Sequence, residues 1–348
     1  MVVTTTGQGG GRRPPGLPTI KDVAEHVGVS FKTVSRVVNG DGKVSAQTAQ
    51  RVRQAVEELG YVRNESARQL RRGRTGTVAL LVRAVSDPFF AAICDAAAER
   101  ARDHDLAVFV TSTHDRAERE RELATAMAGR RPDGLVITPI AESQDYLQGV
   151  LDSGIPVVAI DRPARGIQVD AVLADNAGGV RDAVEHLLRH GHSRIGYLGD
   201  APEIFTARER VAGFRSTAEV HGLGLREEEI DLARPDDERI ATLLRRWRAA
   251  PDPVTALVTG NNAITMAALR ELVDEPHPPA LVGFDDFELA DLVRPAVSVV
   301  AQDPAAVGRT AIDLLVERLR QPERPVRTIR VQTRLIPRGS GELTVGQR

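Results

Sequence analysis

Aromatic side chains make up only 3% of this 348-residue chain, and it has a single cysteine, Cys94. One cysteine excludes an internal disulfide and is typical of a reducing compartment. No run reaches the roughly 18 apolar residues of a membrane helix, and the amino-terminal segment lacks the apolar stretch of a secretory signal. The 42% apolar content still supports a packed core of Val, Leu, Ala and Ile. These features predict a cytoplasmic protein with no membrane contact.

Enzyme motifs are also missing from the sequence. There is no G-x-S-x-G, no P-loop and no G-x-G-x-x-G after a predicted strand. His186, His190 and His192 form H-x3-H-x-H, whose first two members have the spacing of a metal pair on a helix. They straddle a predicted helix end at Gly191, however, and no cysteine is near. We therefore predict no metal, no cofactor and no catalytic residues, and a sugar-modifying enzyme is disfavoured.

Charge is divided unevenly along the chain. Residues 1–74 contain 13 Lys and Arg against six Asp and Glu, whereas the remaining 274 residues carry a net charge of −9. A basic amino-terminal region on an acidic body is typical of a protein that binds nucleic acid with one end.

The stretch from Thr19 to Tyr61 reads as three short helices. Ile20, Val23, Ala24 and Val27 fall on one helical face, and Gly28 then allows only a tight turn. Ser30 and Ser45 are positioned to cap the second and third helices. Two helices, a glycine turn and a supporting third helix predict a helix-turn-helix unit.

The outward face of the second helix suggests what this unit binds. It carries side chains that donate and accept hydrogen bonds, with one aromatic ring: Phe31, Lys32, Thr33, Ser35, Arg36 and Asn39. Arginine pairs in a bidentate manner with guanine in the major groove, and the others suit phosphates or base edges. The alternative is a solvated polar face. Agreement of turn, caps and polar set favours DNA binding.

From residue 77 onward, buried strands alternate with helices of 10 to 15 residues, which is typical of doubly wound parallel sheets. One set of strands is predicted at 77–82, 106–111, 134–138 and 156–160, and a second at 194–198, 254–258 and 280–284. Two sets in tandem predict two lobes with a cleft between them. We expect the helix at 303–319 to return to the first lobe and the strand at 327–335 to join the second.

Ligands of such sheets bind beyond the carboxyl ends of the strands. The candidate pocket residues are those that follow the strands or lie at the later crossover: Phe89, Phe90, Asp161, Arg162, Thr206, Arg208, Arg210, Asn261, Asp285 and Gln302. Carboxylate, guanidinium and amide groups together suit a hydroxyl-rich ligand. Taken singly, each has a plainer alternative. The two aspartates can cap helices, the phenylalanines can belong to the core or a subunit interface, and Arg208 and Arg210 can be surface charges.

Residues Thr19–Asn39 resemble the DNA-binding head of the lactose/galactose repressor (LacI) family, and the likeness continues through Val44–Ser45, Leu59–Tyr61 and Asn64–Leu70. The resemblance implies that Phe31, Lys32 and Arg36 read bases. It assigns phosphate contacts or caps to five others: Thr19, Ser30, Thr33, Ser35 and Asn39. Ala67 and Leu70 match the family's hinge helix, where a leucine enters the minor groove and kinks the duplex.

The body resembles the same family's periplasmic-binding-protein architecture through three runs, Ser86–Phe90, Ala207–Phe214 and Val282–Asp286. This likeness implies effector contacts by Phe90, Arg210, Asn261 and Asp285. Two departures concern the effector. Asn262 stands where the family usually has aspartate, and residues 232–236 contain no aromatic side chain. Without an apolar heptad tail, a homodimer is expected rather than a tetramer.

The resulting prediction is an all-α helix-turn-helix head followed by two doubly wound lobes. The segments are a tail (1–18), the head (19–64), a hinge helix (65–74), the lobes (75–337) and a tail (338–348). Lobe 1 covers about 75–175 and 303–326, and lobe 2 about 176–302 and 327–337. The predicted function is a repressor that binds a near-palindromic operator as a homodimer under control of a sugar-like effector. Inducer and corepressor both fit this logic. A sugar receptor without a DNA role is the alternative.

Overall fold

A computed structural model describes residues 18–38, 40, 43–61 and 74–345. The chain divides into two compact units, Met1–Thr75 and Gly76–Arg348.

The first unit contains the three predicted helices, α1 (Ile20–Val27), α2 (Phe31–Val38) and α3 (Ala46–Glu58). α1 begins where the backbone N–H of Thr19 donates to Asp22 Oδ2 at 2.6 Å. It ends at Gly28, whose φ of 72° lies in the left-handed region that glycine adopts without strain. Val23, Val34 and Val52, one from each helix, are fully buried against one another. The helix-turn-helix prediction is confirmed.

In chain order, the strands and helices of the first lobe of the second unit are β1 (Thr77–Val82), α4 (Pro88–Arg102), β2 (Ala107–Ser112), α5 (Ala117–Ala128), β3 (Gly134–Ile137), α6 (Gln148–Asp152), β4 (Val157–Ile160), β5 (Asp170–Ala174), α11 (Pro304–Arg320) and β11 (Thr328–Val331). The six strands form one parallel sheet in the order β11-β5-β4-β3-β1-β2. α4 and α11 pack so closely that a Cβ on Gly308 would lie 2.4 Å from the Ile93 carbonyl oxygen.

The second lobe is built, in chain order, from α7 (Asn176–Arg189), β6 (Ile195–Gly199), α8 (Phe205–Val220), β7 (Ile230–Leu232), α9 (Asp237–Arg248), β8 (Ala256–Thr259), α10 (Asn262–Leu272), β9 (Ala280–Phe284), β10 (Ser298–Ala301) and β12 (Arg334–Ile336). Its sheet has the order β12-β10-β9-β8-β6-β7, and only β12 is antiparallel to its neighbour. The sheet is buried between two apolar clusters, one of which contains Trp247 and the other Tyr197 and Phe214.

The chain passes between the two sheets three times. β5 leads into α7, β10 leads into α11, and β11 leads into β12. The prediction of one strand at 327–335 in the second lobe was therefore wrong, because Thr328–Val331 pairs with Ala171–Ala174 of the first sheet. The reason is a distant anchor, since the Arg327 backbone N–H donates to Asp170 Oδ1 at 2.8 Å.

The end of the chain also differs from its prediction as a tail. Ser340–Glu342 forms a 3₁₀ turn, and the buried Ser340 donates through Oγ to the Leu281 carbonyl oxygen at 2.6 Å. His192 donates through Nε2 to the Leu343 carbonyl oxygen at 2.6 Å. These contacts fix residues 340–343 on the second lobe, and they engage a histidine of the H-x3-H-x-H motif.

His186 of this motif gives a pH-dependent prediction. Its imidazole contacts Glu342, with His190 and Arg189 nearby. Burial lowers the pKa of His186, so the unfolded chain, whose histidine pKa is about 6.5, takes up the proton more readily. The free energy of unfolding should therefore fall as the pH drops below about 6.5. Urea unfolding at pH 7.5 and 5.5 measures this loss.

A His186→Gln variant keeps an amide donor for Glu342 but cannot titrate, so its loss of stability at pH 5.5 should be smaller than that of the wild type. His221→Gln is the matched control, because His221 is an exposed histidine that lies 3.6 Å from Glu185. Equal pH slopes in wild type and His186→Gln would contradict the assignment.

Candidate nucleic-acid interface and ligand cleft

The exposed face of α2 is the candidate nucleic-acid interface. Phe31, Lys32 and Arg36 are all exposed, and Phe31 is 48% accessible. An exposed phenylalanine beside two cations has no role in the small core of this unit, whose buried α2 residue is Val34.

Helix caps engage three of the hydroxyl residues of the same unit, Thr19, Ser30 and Thr33. Ser30 Oγ accepts from the Thr33 backbone N–H at 3.2 Å and lies 2.9 Å from Thr33 Oγ1. Thr19 donates through Oγ1 to Asp22 at 2.8 Å. Ser35 is half-buried. The remaining predicted contacts, Asn39, Ala67 and Leu70, lie outside the described residues.

One residue of this unit was not predicted. Arg51 of α3 donates through Nη2 to the Val27 carbonyl oxygen at 2.7 Å, at the carboxyl end of α1. A cation at that end satisfies a backbone acceptor that the helix leaves free, so it stabilises the turn that orients α2.

Arg210 of α8 is the most enclosed cation of the candidate cleft. It is 5% exposed, donates through Nε to Asn176 Oδ1 at 2.8 Å and through Nη1 to the Gly260 carbonyl oxygen at 2.6 Å. Its guanidinium carbon lies 3.8 Å from the centre of the Phe284 ring. A guanidinium stacked and hydrogen-bonded in this way is held in one orientation.

Asp285 faces this guanidinium from the end of β9. Its Oδ2 lies 3.6 Å from Arg210 Nη1, and its Oδ1 accepts from Gln302 Nε2 at 2.6 Å. The backbone of Asp285 has a φ of 70°, a conformation in which aspartate and asparagine are enriched among non-glycine residues. Gln302 Oε1 is buried without a hydrogen-bond partner among the described residues, so an acceptor is available beside the ion pair.

Asp161 approaches the same charges from the first lobe, at the end of β4. Its φ is 66°, and its Oδ2 lies 3.4 Å from Arg162 Nε. Burial raises the pKa of Asp161, while Arg162 and Arg210 oppose that rise and Asp285 adds to it. Charged groups of both lobes thus influence the pKa of this one carboxyl group.

A chain of alternating charges continues from Arg162 across the first lobe. Arg162 Nη2 lies 3.6 Å from Asp115 Oδ1, and Arg83 Nη1 lies 3.4 Å from Asp115 Oδ2. Arg83 also pairs with Asp87, and its guanidinium carbon lies 5.6 Å from the centre of the Phe90 ring. The sequence analysis did not predict Arg83 or Asp115, because both follow strands at positions with no local motif.

The comparisons with known proteins agree with the division of the chain into an amino-terminal helical unit and a two-lobed unit. Residues 19–64 match the model of bacterial regulatory proteins of the lacI family, and residues 184–341 match a periplasmic binding protein-like domain. The HTH-type transcriptional regulator CelR of Thermobifida fusca is 32% identical over 340 residues, which cover 93% of this chain and 98% of CelR. The chain belongs to the LacI family. The predictions of fold class and of a DNA-binding transcriptional regulator rather than an enzyme are confirmed.

Two solved structures extend this LacI-family likeness. A complex of the regulator CelR with cellobiose is 30% identical, with a TM-score of 0.67 and coverage of 93% of this chain and 99% of that one. The Lac repressor dimer bound to operator and the anti-inducer ONPF has a TM-score of 0.80 at 22% identity, covering 94% and 100% of the two chains, and shows the shared fold. Across the described ranges, no helix combines the length and apolar character needed to cross a bilayer.

Some predicted pocket residues of this LacI-family chain are engaged elsewhere. Asn261 caps α10 by accepting from the Ile264 N–H at 2.8 Å and donates to Asp200 at 2.9 Å. Phe90 is buried in the first lobe's core, with Phe89 half-buried beside it at a ring distance of 5.1 Å. Thr206 is buried at the start of α8. Arg208 of α8 donates to the Pro202 and Glu203 carbonyl oxygens of the preceding loop.

Proposed function

We propose that this regulator represses transcription by binding a near-palindromic operator as a homodimer in the cytoplasm, associated with the nucleoid when bound. The DNA proposal is carried by the exposed triplet Phe31, Lys32 and Arg36 on the second helix of a helix-turn-helix unit. In this motif the second helix enters the major groove, and a dimer reads two half-sites one helical turn apart. The dimeric Lac repressor–operator neighbour supports this arrangement.

A small hydroxyl-rich effector, sugar-like in its chemistry, is proposed for the cleft. Supporting it, Asp161 and Arg162 of one lobe and Arg210, Asp285 and Gln302 of the other supply charged and amide groups around one point. Such groups donate and accept at once, as vicinal hydroxyls require. The CelR–cellobiose neighbour is a relative that binds a sugar. Phe89, Phe90, Thr206 and Asn261 remain proposed members of the wall.

The effector would act by binding two conformations of the lobes with different affinity. Its influence on operator binding cannot exceed that difference in affinity. We propose the segment 65–74 as the hinge through which the two states differ, with Leu70 in the minor groove. Inducer and corepressor are equally compatible with this scheme.

Replacing Arg36 by alanine tests the DNA proposal. The probe is the duplex that the wild-type chain selects from a random-sequence pool. Because a bidentate arginine–guanine pair contributes about 1–3 kcal/mol of base discrimination, Arg36→Ala should bind this duplex about 5- to 150-fold more weakly. Repeating the selection with the variant should give a relaxed preference at one position of each half-site.

Arg53→Ala is the matched control, because Arg53 is an exposed arginine of α3 rather than of α2. It should keep the base preference of the wild type and alter affinity only through a general loss of charge. An unchanged base preference in Arg36→Ala would contradict base reading by Arg36. Failure of the wild type to select any sequence would contradict the DNA proposal as a whole.

A further inference from the structure

A polar side chain that contacts another element lies at or next to each of the three crossovers between the lobes. Asn176 follows β5, Gln302 follows β10, and Arg330 is the second-to-last residue of β11. These crossovers are the only described covalent connections between the two sheets, so any change in the angle between the lobes must be taken up near them. Side chains that join the crossovers to each other therefore limit that change.

Glu209 of α8 joins two of the crossovers. Its Oε1 accepts from Arg330 Nη2 at 2.8 Å, and its Oε2 accepts from Arg330 Nη1 at 3.3 Å and from Asn176 Nδ2 at 3.0 Å. Arg330 also donates to the Ala174 carbonyl oxygen at 3.3 Å, immediately before the first crossover. Arg330 lies on an edge strand of the first sheet and Glu209 lies in the second lobe, so this bidentate pair joins the two lobes beside their crossovers.

Asn176 carries the connection onward into the cleft. It is fully buried, and its Oδ1 accepts from Arg210 Nε while its Nδ2 donates to Glu209. Arg210 then pairs with Asp285, and Asp285 accepts from Gln302 at the second crossover. One continuous series of hydrogen bonds and ion pairs thus runs from the surface of β11 through the cleft to the start of α11.

We propose that the Glu209–Arg330 pair is a latch between the two lobes, and that Glu209 and Asn176 are positioning residues. They couple the orientation of Arg210 to the angle between the lobes. This inference rests on the proposed function in taking Arg210 as an effector contact. A ligand that draws Arg210 or Asp285 toward itself alters the bond to Asn176, which shares Glu209 with Arg330. Ligand binding and lobe angle are then linked through named atoms.

The latch predicts an effect on geometry that is separable from stability. The Arg330 side chain is 46% exposed, and ion pairs of that exposure contribute little to the free energy of unfolding. Loss of the latch should therefore leave the melting temperature nearly unchanged and allow the lobes to open. Replacing a residue with a purely structural role would instead lower the melting temperature and leave the distance between the lobes unchanged.

The experiment measures the distance between lobes in the full chain by electron–electron double resonance. Spin labels are placed at Glu118→Cys on α5 and Glu238→Cys on α9, two exposed positions on different lobes, in a Cys94→Ala background. The labelled chain is diluted into unlabelled chain so that distances within one chain dominate. No effector or DNA is added.

Glu209→Gln and Arg330→Gln should each widen the distance distribution or move it to longer values, and the double variant should add nothing further. Arg330→Lys, which keeps the charge but loses the fork, should give an intermediate result. The matched control is Glu227→Gln. Glu227, like Glu209, is the bidentate partner of an arginine, but its partner Arg215 lies on α8, so both residues belong to the second lobe. Its distribution should match that of the wild type.

Coupling to the cleft is tested by combining Glu209→Gln with Asp285→Asn. If the series is continuous, the two shifts are not additive, since either change interrupts it. Additive shifts, unchanged distances in Glu209→Gln and Arg330→Gln, or an equal shift in Glu227→Gln would each overturn the latch. A failure of the proposed function would instead be seen in duplex selection or ligand screening, which these distances do not involve.

Discussion

An Asp170→Asn variant is expected to lose about 3–5 kcal/mol of the free energy of unfolding of the two-lobed unit. The Asp170 carboxylate is 1% exposed and accepts from Arg318 Nε at 3.1 Å and from Arg324 Nη2 at 2.8 Å. An uncharged amide leaves two nearly buried guanidinium groups without their counter-charge. Urea unfolding followed by Trp247 fluorescence and by far-ultraviolet circular dichroism measures the loss.

Asp313→Asn provides the control for this prediction. Asp313 lies on the same helix as Arg318 and accepts from Arg100 Nε at 2.7 Å, but its side chain is 41% exposed. Removing its charge should cost no more than about 1 kcal/mol. If both variants lose the same free energy of unfolding, burial does not explain how much the Asp170 cluster stabilises the protein. The Asp170→Asn change should also weaken the attachment of β11 to the sheet. The Arg327 backbone N–H would donate to an uncharged amide oxygen in place of a carboxylate oxygen.

An Asp285→Asn variant is expected to bind the effector more weakly than the wild type. Asparagine tolerates the φ of 70° and still accepts from Gln302, so the change isolates the charge opposite Arg210. Alanine would add backbone strain. A hydrogen bond to a charged group contributes about 1.5–3 kcal/mol, so ligand binding should weaken by roughly 10- to 150-fold.

The measurement is a thermal shift with the compound that most raises the wild-type melting temperature in a panel of sugars, nucleosides and purines. At a concentration of 100 times Kd the wild type gains about 2.7 kcal/mol, and a variant that binds roughly 10- to 150-fold more weakly should lose between about half and nine-tenths of that gain. Asp286→Asn is the control, because the neighbouring carboxylate pairs with Arg338 at 2.6 and 2.7 Å rather than with Arg210. An unaltered shift in Asp285→Asn would place the ligand elsewhere.

Much of the fold could be predicted because its signals are local. The periodicity of α1, the cap at Ser45 and the apolar run of β1 each lie within a few neighbouring residues. β5, β7 and β10 were not predicted, although strands of similar length, such as β3 and β4, were. The division of 327–335 between two sheets depends on Asp170, more than 150 residues away, and no local pattern encodes it.

The candidate site was predictable to the extent that strand ends define it. The rule that ligands bind beyond the carboxyl ends of parallel strands led to Asp161, Arg210 and Asp285, which the structure brings together. Glu209 was not predicted as functional, because its meaning comes from a partner 121 positions away. Asn261 is a case in which the sequence predicted a ligand contact and the structure shows other contacts. Its position suggested a ligand contact, and its side-chain atoms are used by a helix cap and by Asp200.

The three passages between the sheets have a consequence for how such a body can be divided or recombined. A protease that cuts one exposed loop cannot release a lobe, because two other peptide connections still hold it. Nor can one lobe be exchanged between related genes as a single contiguous cassette, since three separate junctions would have to be matched at once. The amino-terminal unit, joined at one point in the sequence, is free of this restriction, so new operator preferences can be acquired by fusion while the sensor half is inherited whole.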